Sequence, residues 1–194
     1  NMFYRGTPAE MQLALKSSGC GGFPQQEFCP VNGSDPLLYD WVIHDTAKSQ
    51  LRLWVGGSHC WLFEGMSLYF TRLMKGTAML TCTDLASTSP QDKGKVYTEP
   101  ADWPVIIRVW VRENRDPDLT GVLRAATFVD LDGAETLKSW SLVEFFAGDH
   151  RLKFIELLEK LKAGVEIEPA LKAVFGWSLA DLDVHWRRYV RLSY

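Results

Sequence analysis

Residues 39–71 read YDWVIHDTAKSQLRLWVGGSHCWLFEGMSLYFT, and the parsing of this stretch decides the fold. Trp41, Ala47, Leu51 and Trp54 recur near helical spacing, so a first helix is expected over about 37–55, ended by Gly56-Gly57. A second is expected over about 61–74, with Leu62, Met66, Tyr69, Phe70 and Leu73 on its buried side. The first helix carries His44, Asp45 and Lys48, and the second carries Glu64. Gly65, directly after Glu64, is expected to let these two helices approach closely.

The layout is that of a metal site in which two positions have changed. Two histidines at i and i+4 of one helix reach a single zinc, a glutamate beside the first acts as general base, and a following helix supplies a third ligand. His44 and Glu64 occupy the first-histidine and third-ligand positions. The base position holds Asp45, one methylene shorter, and the second-histidine position holds Lys48, whose ammonium has no lone pair for a metal. His59, in the turn before the second helix, is the one nearby imidazole available as a substitute ligand.

HDTAK (44–48) followed by WLFEGMSLYF (61–70) resembles the HExxH and WLxEGLAxYF pair of the peptidase MA-like gluzincin domains, thermolysin-related metallopeptidase domains of bacterial exported proteins. LKSWSLVEFF (137–146) is similar to that family's YAQAWxLVxFL helix, and FIELLEKLKAG (154–164) with ALKAVFGWSLADLDVHWRRYV (170–190) is similar to its closing helices. The resemblance runs from about Phe3 onward. It implies an α+β, predominantly helical, gluzincin or zincin-like fold in a single domain over 1–194, as a fragment or mature form of a longer chain. A small N-terminal sheet should cover one side of the two central helices and a C-terminal helical region the other. The chain departs from the family at Lys48, at Leu137 where a tyrosine is expected, and at Glu144 where a later histidine is expected.

Two functions follow from the resemblance. The first is a catalytically inactive metallopeptidase-like domain, an accessory subunit with structural or binding work in a larger assembly. It has no catalytic residue and no cofactor, and His44, Lys48 and Glu64 are vestigial metal positions. In this reading Lys48 pairs with Glu64 and its ammonium replaces the metal's charge. The second is an active zinc-dependent metallopeptidase using His44, Glu64 and His59 as ligands, with Asp45 as general base.

Composition narrows the partners. With 194 residues, 46% of them hydrophobic and 23% charged, the chain is long enough for one sizeable core. A net charge of −3 with mixed signs does not point to nucleic acid or acidic membranes, so other protein subunits are the expected partners. No apolar run approaches the roughly 18 to 20 residues of a membrane span. Eight Trp is a high count, and residues 101–104 with the segment to Trp110 are the expected contact surface. Cys20, Cys29, Cys60 and Cys82 lack CxxC spacing, which argues against a zinc ribbon. Cys20 and Cys29 bracket a loop that would close as a disulfide in an oxidising compartment. The resemblance to an exported family implies an extracytoplasmic or periplasmic location with at least one bridge, the alternative being a cytoplasmic chain with free thiols.

Elsewhere, residues 2–5 read as a short strand, followed by a helix from the Thr7 cap to about Ser17. Residues 23–36 read as loop with an edge strand near Glu27 to Cys29, and 80–99 as loop with a short helix. PVIIRVWV (104–111) has the β-branched run of a strand. Helices are expected over 136–147, 152–163 and 169–175, with Gly176 just past the last of these. A final helix is capped by Ser178, with Asp181 three residues on. His150 and His185 read as surface residues, and there is no GxSxG elbow. His59 and Cys60 are adjacent in the chain, which rarely lets a thiol and an imidazole face each other.

Overall fold

The computed structural model describes residues 38–76 and 102–194. Among these residues the fold is predominantly helical, with α1 Leu38–Val55, α2 Cys60–Lys75, α3 Trp103–Glu113, α4 Leu119–Arg124, α5 Gly133–Asp149, α6 Arg151–Lys162, α7 Ile167–Phe175 and α8 Leu179–Ser193. A 3-10 turn, Phe128–Asp130, lies between α4 and α5, and no strand occurs among the described residues. The expected strands and helix of the first 36 residues, the 80–99 loop, and Cys20, Cys29 and Cys82 lie outside them.

The two helices of the quoted stretch form within a residue or two of their expected bounds. α2 is the central element. Its first half is buried on every side, from Cys60 through Leu68, as befits a helix covered all round. It packs between α1 and α5. The hydroxyls it carries into the core bond to carbonyls one turn back, Ser67 to Phe63 at 2.6 Å and Thr71 to Ser67 at 2.8 Å. Gly76 ends it in the left-handed conformation, φ 72°.

The close approach expected between the two site helices occurs elsewhere. Gly65 faces α5, where a built Cβ would meet the Ser139 backbone and the Val143 side chain. Helix α5 is itself largely core, with Leu137, Trp140, Leu142 and Phe146 fully buried. Its start is fixed by a reciprocal pair: the Glu135 amide donates to Asp132 at 2.8 Å, and the Asp132 amide to Glu135 at 2.9 Å. The same device opens α8, where Ser178 and Asp181 form the expected capping box.

The strand expected over 104–111 is a helix. Trp103, Ile107 and Val111 are the buried residues of α3, and their four-residue spacing belongs to a helical face. The β-branched residues between them suggested a strand, but Pro104 in the first turn and this buried stripe set the outcome. Trp103 meets Trp140 of α5 edge to face, ring centroids 5.3 Å apart.

A second polar cluster ties α5 to α8 and to the loop after α3. The Lys138 ammonium, buried in the core, donates to Asp116 at 2.8 Å and to the Pro117 carbonyl at 2.6 Å, and lies 3.5 Å from Asp183. Arg187 lies 2.9 Å from the other Asp116 oxygen and donates to Asp183 at 2.6 Å. Two cations thus meet two carboxylates, and the Trp186 ring lies 4.2 Å from the Lys138 ammonium.

Candidate functional site

Helix α1 presents His44 and Lys48 toward Glu64 of α2, with Asp45 beside His44. The four-residue step from His44 to Lys48 puts both on one helix face, and the packing of α1 against α2 sets Glu64 opposite them. His44 and Glu64 are almost wholly buried, with side chains 2% and 1% exposed, whereas Lys48 is 15% exposed.

Each oxygen of Glu64 is engaged by a different residue. Lys48 Nζ donates to Oε1 in a short contact. His44 Nε2 lies 3.0 Å from Oε2. The other ring nitrogen of His44, Nδ1, lies 3.4 Å from Asp45 Oδ1. A carboxylate at each ring nitrogen favours the protonated form of the imidazole, in which both nitrogens donate. Burial acts to lower the His44 pKa, but the Glu64 charge and the bonds to Asp45 and Glu64 outweigh it and raise it above the ordinary value. Burial alone would lift the Glu64 pKa; the Lys48 and His44 charges instead bring it down to about 2.

The far side of the Lys48 ammonium rests on an aromatic face. It lies 3.6 Å from the centre of the Phe128 ring, and the Arg52 guanidinium lies 5.6 Å from the same centre. Phe128 belongs to the 3-10 turn before α5, so its part in the site was not visible from the chain's local pattern. Lys48 therefore lies between a carboxylate and a π-face.

Zinc, which the sequence resemblance implies, does not fit these residues as they stand. The second-histidine position holds Lys48, whose ammonium has no lone pair and bonds to Glu64, so the pair His44 and Glu64 is left one protein ligand short of a zinc site. Asp45, with its side chain 45% exposed, stands beside the outer ring nitrogen of His44. Among the described residues no group of three or more His, Cys, Asp or Glu side chains is arranged to hold a metal ion.

His59 is not brought to this site. It precedes α2 and lines a separate cleft of about 690 Å3, together with Val55, Arg124, Lys162 and Glu166. Burial depresses its pKa, and the charge of Glu166 offsets this in part. Cys60 points away from it in function as well: its thiol donates to the Ala126 carbonyl at 3.4 Å, and burial followed by the Glu64 charge raises its pKa to about 11. Such a thiol is not a nucleophile near neutrality.

Leu137 and Glu144, the two other positions singled out in the sequence, lie elsewhere, on α5. Leu137 is fully buried core. Glu144 accepts from the Tyr194 hydroxyl at 2.6 Å and lies 3.6 Å from Arg72, a guanidinium that also covers the Trp140 ring. His185 is exposed and stacks on Trp177 with centroids 4.3 Å apart, and His150 stands edge-on to Phe145 at 4.8 Å. No family model, no curated protein and no solved structure matches this chain.

Proposed function

We propose that this chain is a catalytically inactive metallopeptidase-like domain, a structural or binding subunit of a larger assembly of bacterial, extracytoplasmic origin. One observation carries the reading: Lys48 donates to Glu64 from the position where an active relative would hold its second ligating histidine. The ammonium supplies the positive charge that a buried carboxylate requires. His44 completes the arrangement as a cation at the other oxygen. Without a Lewis acid, any water near Asp45 keeps a pKa far above neutral, so hydrolysis has no activated nucleophile.

In this reading the described helices are the helical part of a zincin-like fold, and the expected small sheet falls outside the described residues. The partners are other protein subunits, and no helix among the described residues is long and apolar enough to cross a membrane.

Metal analysis of purified protein, paired with a general peptidase assay, tests the proposal. The expected result is sub-stoichiometric zinc and no peptide cleavage that depends on His44. Stoichiometric zinc lost in His44→Ala, with cleavage lost alongside, would establish the active peptidase instead. The double variant Lys48→His, Asp45→Glu restores the family's ligand and base chemistry. It is expected to take up zinc where the parent chain does not.

A further inference from the structure

We infer that the outer face shared by α3 and α8 docks an acidic, amphipathic helical segment of a partner protein. This names the binding surface of the subunit proposed above and rests on that reading only for the existence of a partner.

The two helices pack against each other in opposite directions. Arg108 of α3 donates to the Tyr194 carbonyl at 3.0 Å, and Arg187 of α8 reaches Asn114, just past α3, at 3.4 Å. The middle of α3 thus meets the end of α8, and the end of α3 meets the middle of α8, which is the antiparallel order. Val105, Arg108, Val109 and Arg112 are all outward-facing at i, i+3, i+4 and i+7 of α3. Val184, Arg188, Arg191 and Leu192 form the matching exposed stripe on α8.

The charges on this face are unbalanced. Glu113 is held by Arg115 and Asp183 by Arg187 and Lys138, which leaves one carboxylate of the two helices, Asp181 at the start of α8, outside an ion pair among the described residues. Arg112, Arg188 and Arg191 have no carboxylate within ion-pair reach among the described residues, and Arg108 meets only a backbone oxygen. In a chain of net charge −3 this is a local concentration of positive charge. Neither helix contains a lysine. The guanidinium fork matches a carboxylate with two parallel bonds, which favours a defined acidic partner over diffuse attraction.

The apolar residues select the partner's class. Val105 is 57% exposed, Val184 66% and Leu192 76%. Interleaved with arginines, they suit a segment that brings its own aliphatic stripe edged by glutamates or aspartates. A helix so patterned can lay its apolar stripe along the exposed rows of α3 and α8 and set its carboxylates against the arginines. A nucleic-acid backbone would match the arginines and leave the valines and leucine facing charge.

The experiment uses the full chain and fluorescein-labelled model peptides. One peptide carries leucines at i, i+3, i+4 and i+7 flanked by glutamates; two controls replace the glutamates by lysine or the leucines by alanine. A DNA duplex and phosphatidylserine vesicles are run alongside. The Glu–Leu peptide is expected to bind at least about tenfold more tightly than either control, and to weaken as salt rises. Arg112→Glu/Arg188→Glu/Arg191→Glu should lower that affinity by about tenfold or more while melting like the parent. Val105→Ser/Val109→Ser should weaken it without changing the salt dependence. If the triple variant fails to fold, Arg188→Glu alone is read in its place. Equal binding of all three peptides, or insensitivity to charge reversal in a folded variant, overturns the inference. So does binding of duplex or vesicles with no binding of the Glu–Leu peptide. Zinc content of the same preparation reports on the inactive-domain reading independently.

Discussion

Gly65 of α2 stands so close to Ser139 of α5 that a Cβ built on it would lie 2.4 Å from the Ser139 carbonyl oxygen. A backbone oxygen cannot swing aside as the end of a flexible side chain can, so the two helices would have to separate. Because Gly65 adjoins Glu64, such a shift would also disturb the site. Gly65→Ala is expected to destabilise the domain by about 1–3 kcal/mol despite alanine's better helix propensity. Gly148→Ala, which meets nothing within 4 Å, is the control and should be neutral or stabilising. Urea denaturation of both variants checks this.

Removing the Lys48 charge leaves Glu64 ionised in the core with one partner fewer. Lys48→Met is expected to cost about 3 kcal/mol, the low end for breaking a buried pair because Lys48 keeps some exposure. Lys160→Met, at an exposed position of α6, should change stability by less than about 0.5 kcal/mol. Equal melting temperatures for the two variants would refute the charge-replacement account of Lys48.

The pH dependence follows from Glu64. Its folded-state pKa of about 2 lies below the ordinary 4.5, so its contribution is fully present above about 4.5 and is lost as pH falls toward 2. His44 acts in the opposite sense. Its raised pKa makes its contribution full below 6.5 and lost as pH climbs through the folded value. Stability is therefore expected to be greatest between these limits. Glu64→Gln should begin less stable at pH 6 and lose less between pH 4.5 and 2, as measured by urea midpoints at fixed ionic strength.

Lys138 should be at least as sensitive as Lys48, since it and Asp116 have side chains 1% and 0% exposed. Lys138→Met leaves Asp116 with Arg187 as its remaining cation among the described residues and is expected to cost about 3 kcal/mol, the low end for breaking a buried pair. Lys138→Met combined with Asp116→Asn should recover part of that loss. A double-mutant cycle by thermal denaturation measures the coupling; simple additivity would mean that the pair carries no interaction energy.

The parts of this molecule that are local in sequence were legible there. Ser178 and Asp181 announced α8, and the apolar spacing of residues 39–71 announced α1 and α2. His44 and Lys48 share a face by helix periodicity alone, whereas Glu64 was set opposite them by what the family resemblance implied. What depends on long-range packing was not legible. The stretch around Ile107 is strand-like by residue type and helical by its buried spacing, and only the core decides between them. Helix α4 went unread, although Asp118 caps it through the Gly121 amide at 2.9 Å. Lys138 meets Asp116 and Asp183 across 22 and 45 residues of chain, and no local pattern links them. Phe128 reaches Lys48 for the same reason: its place is set by the turn between α4 and α5.

A cation that arrives on the polypeptide has a consequence for how this domain is made. Lys48 is delivered to Glu64 at a stoichiometry of one by translation itself, so no dissociation constant enters the folding equilibrium at that carboxylate. A bound ion would contribute a stabilisation that rises and falls with its free concentration. The tethered ammonium contributes the same amount in a metal-starved compartment as in a replete one, and chelators cannot withdraw it.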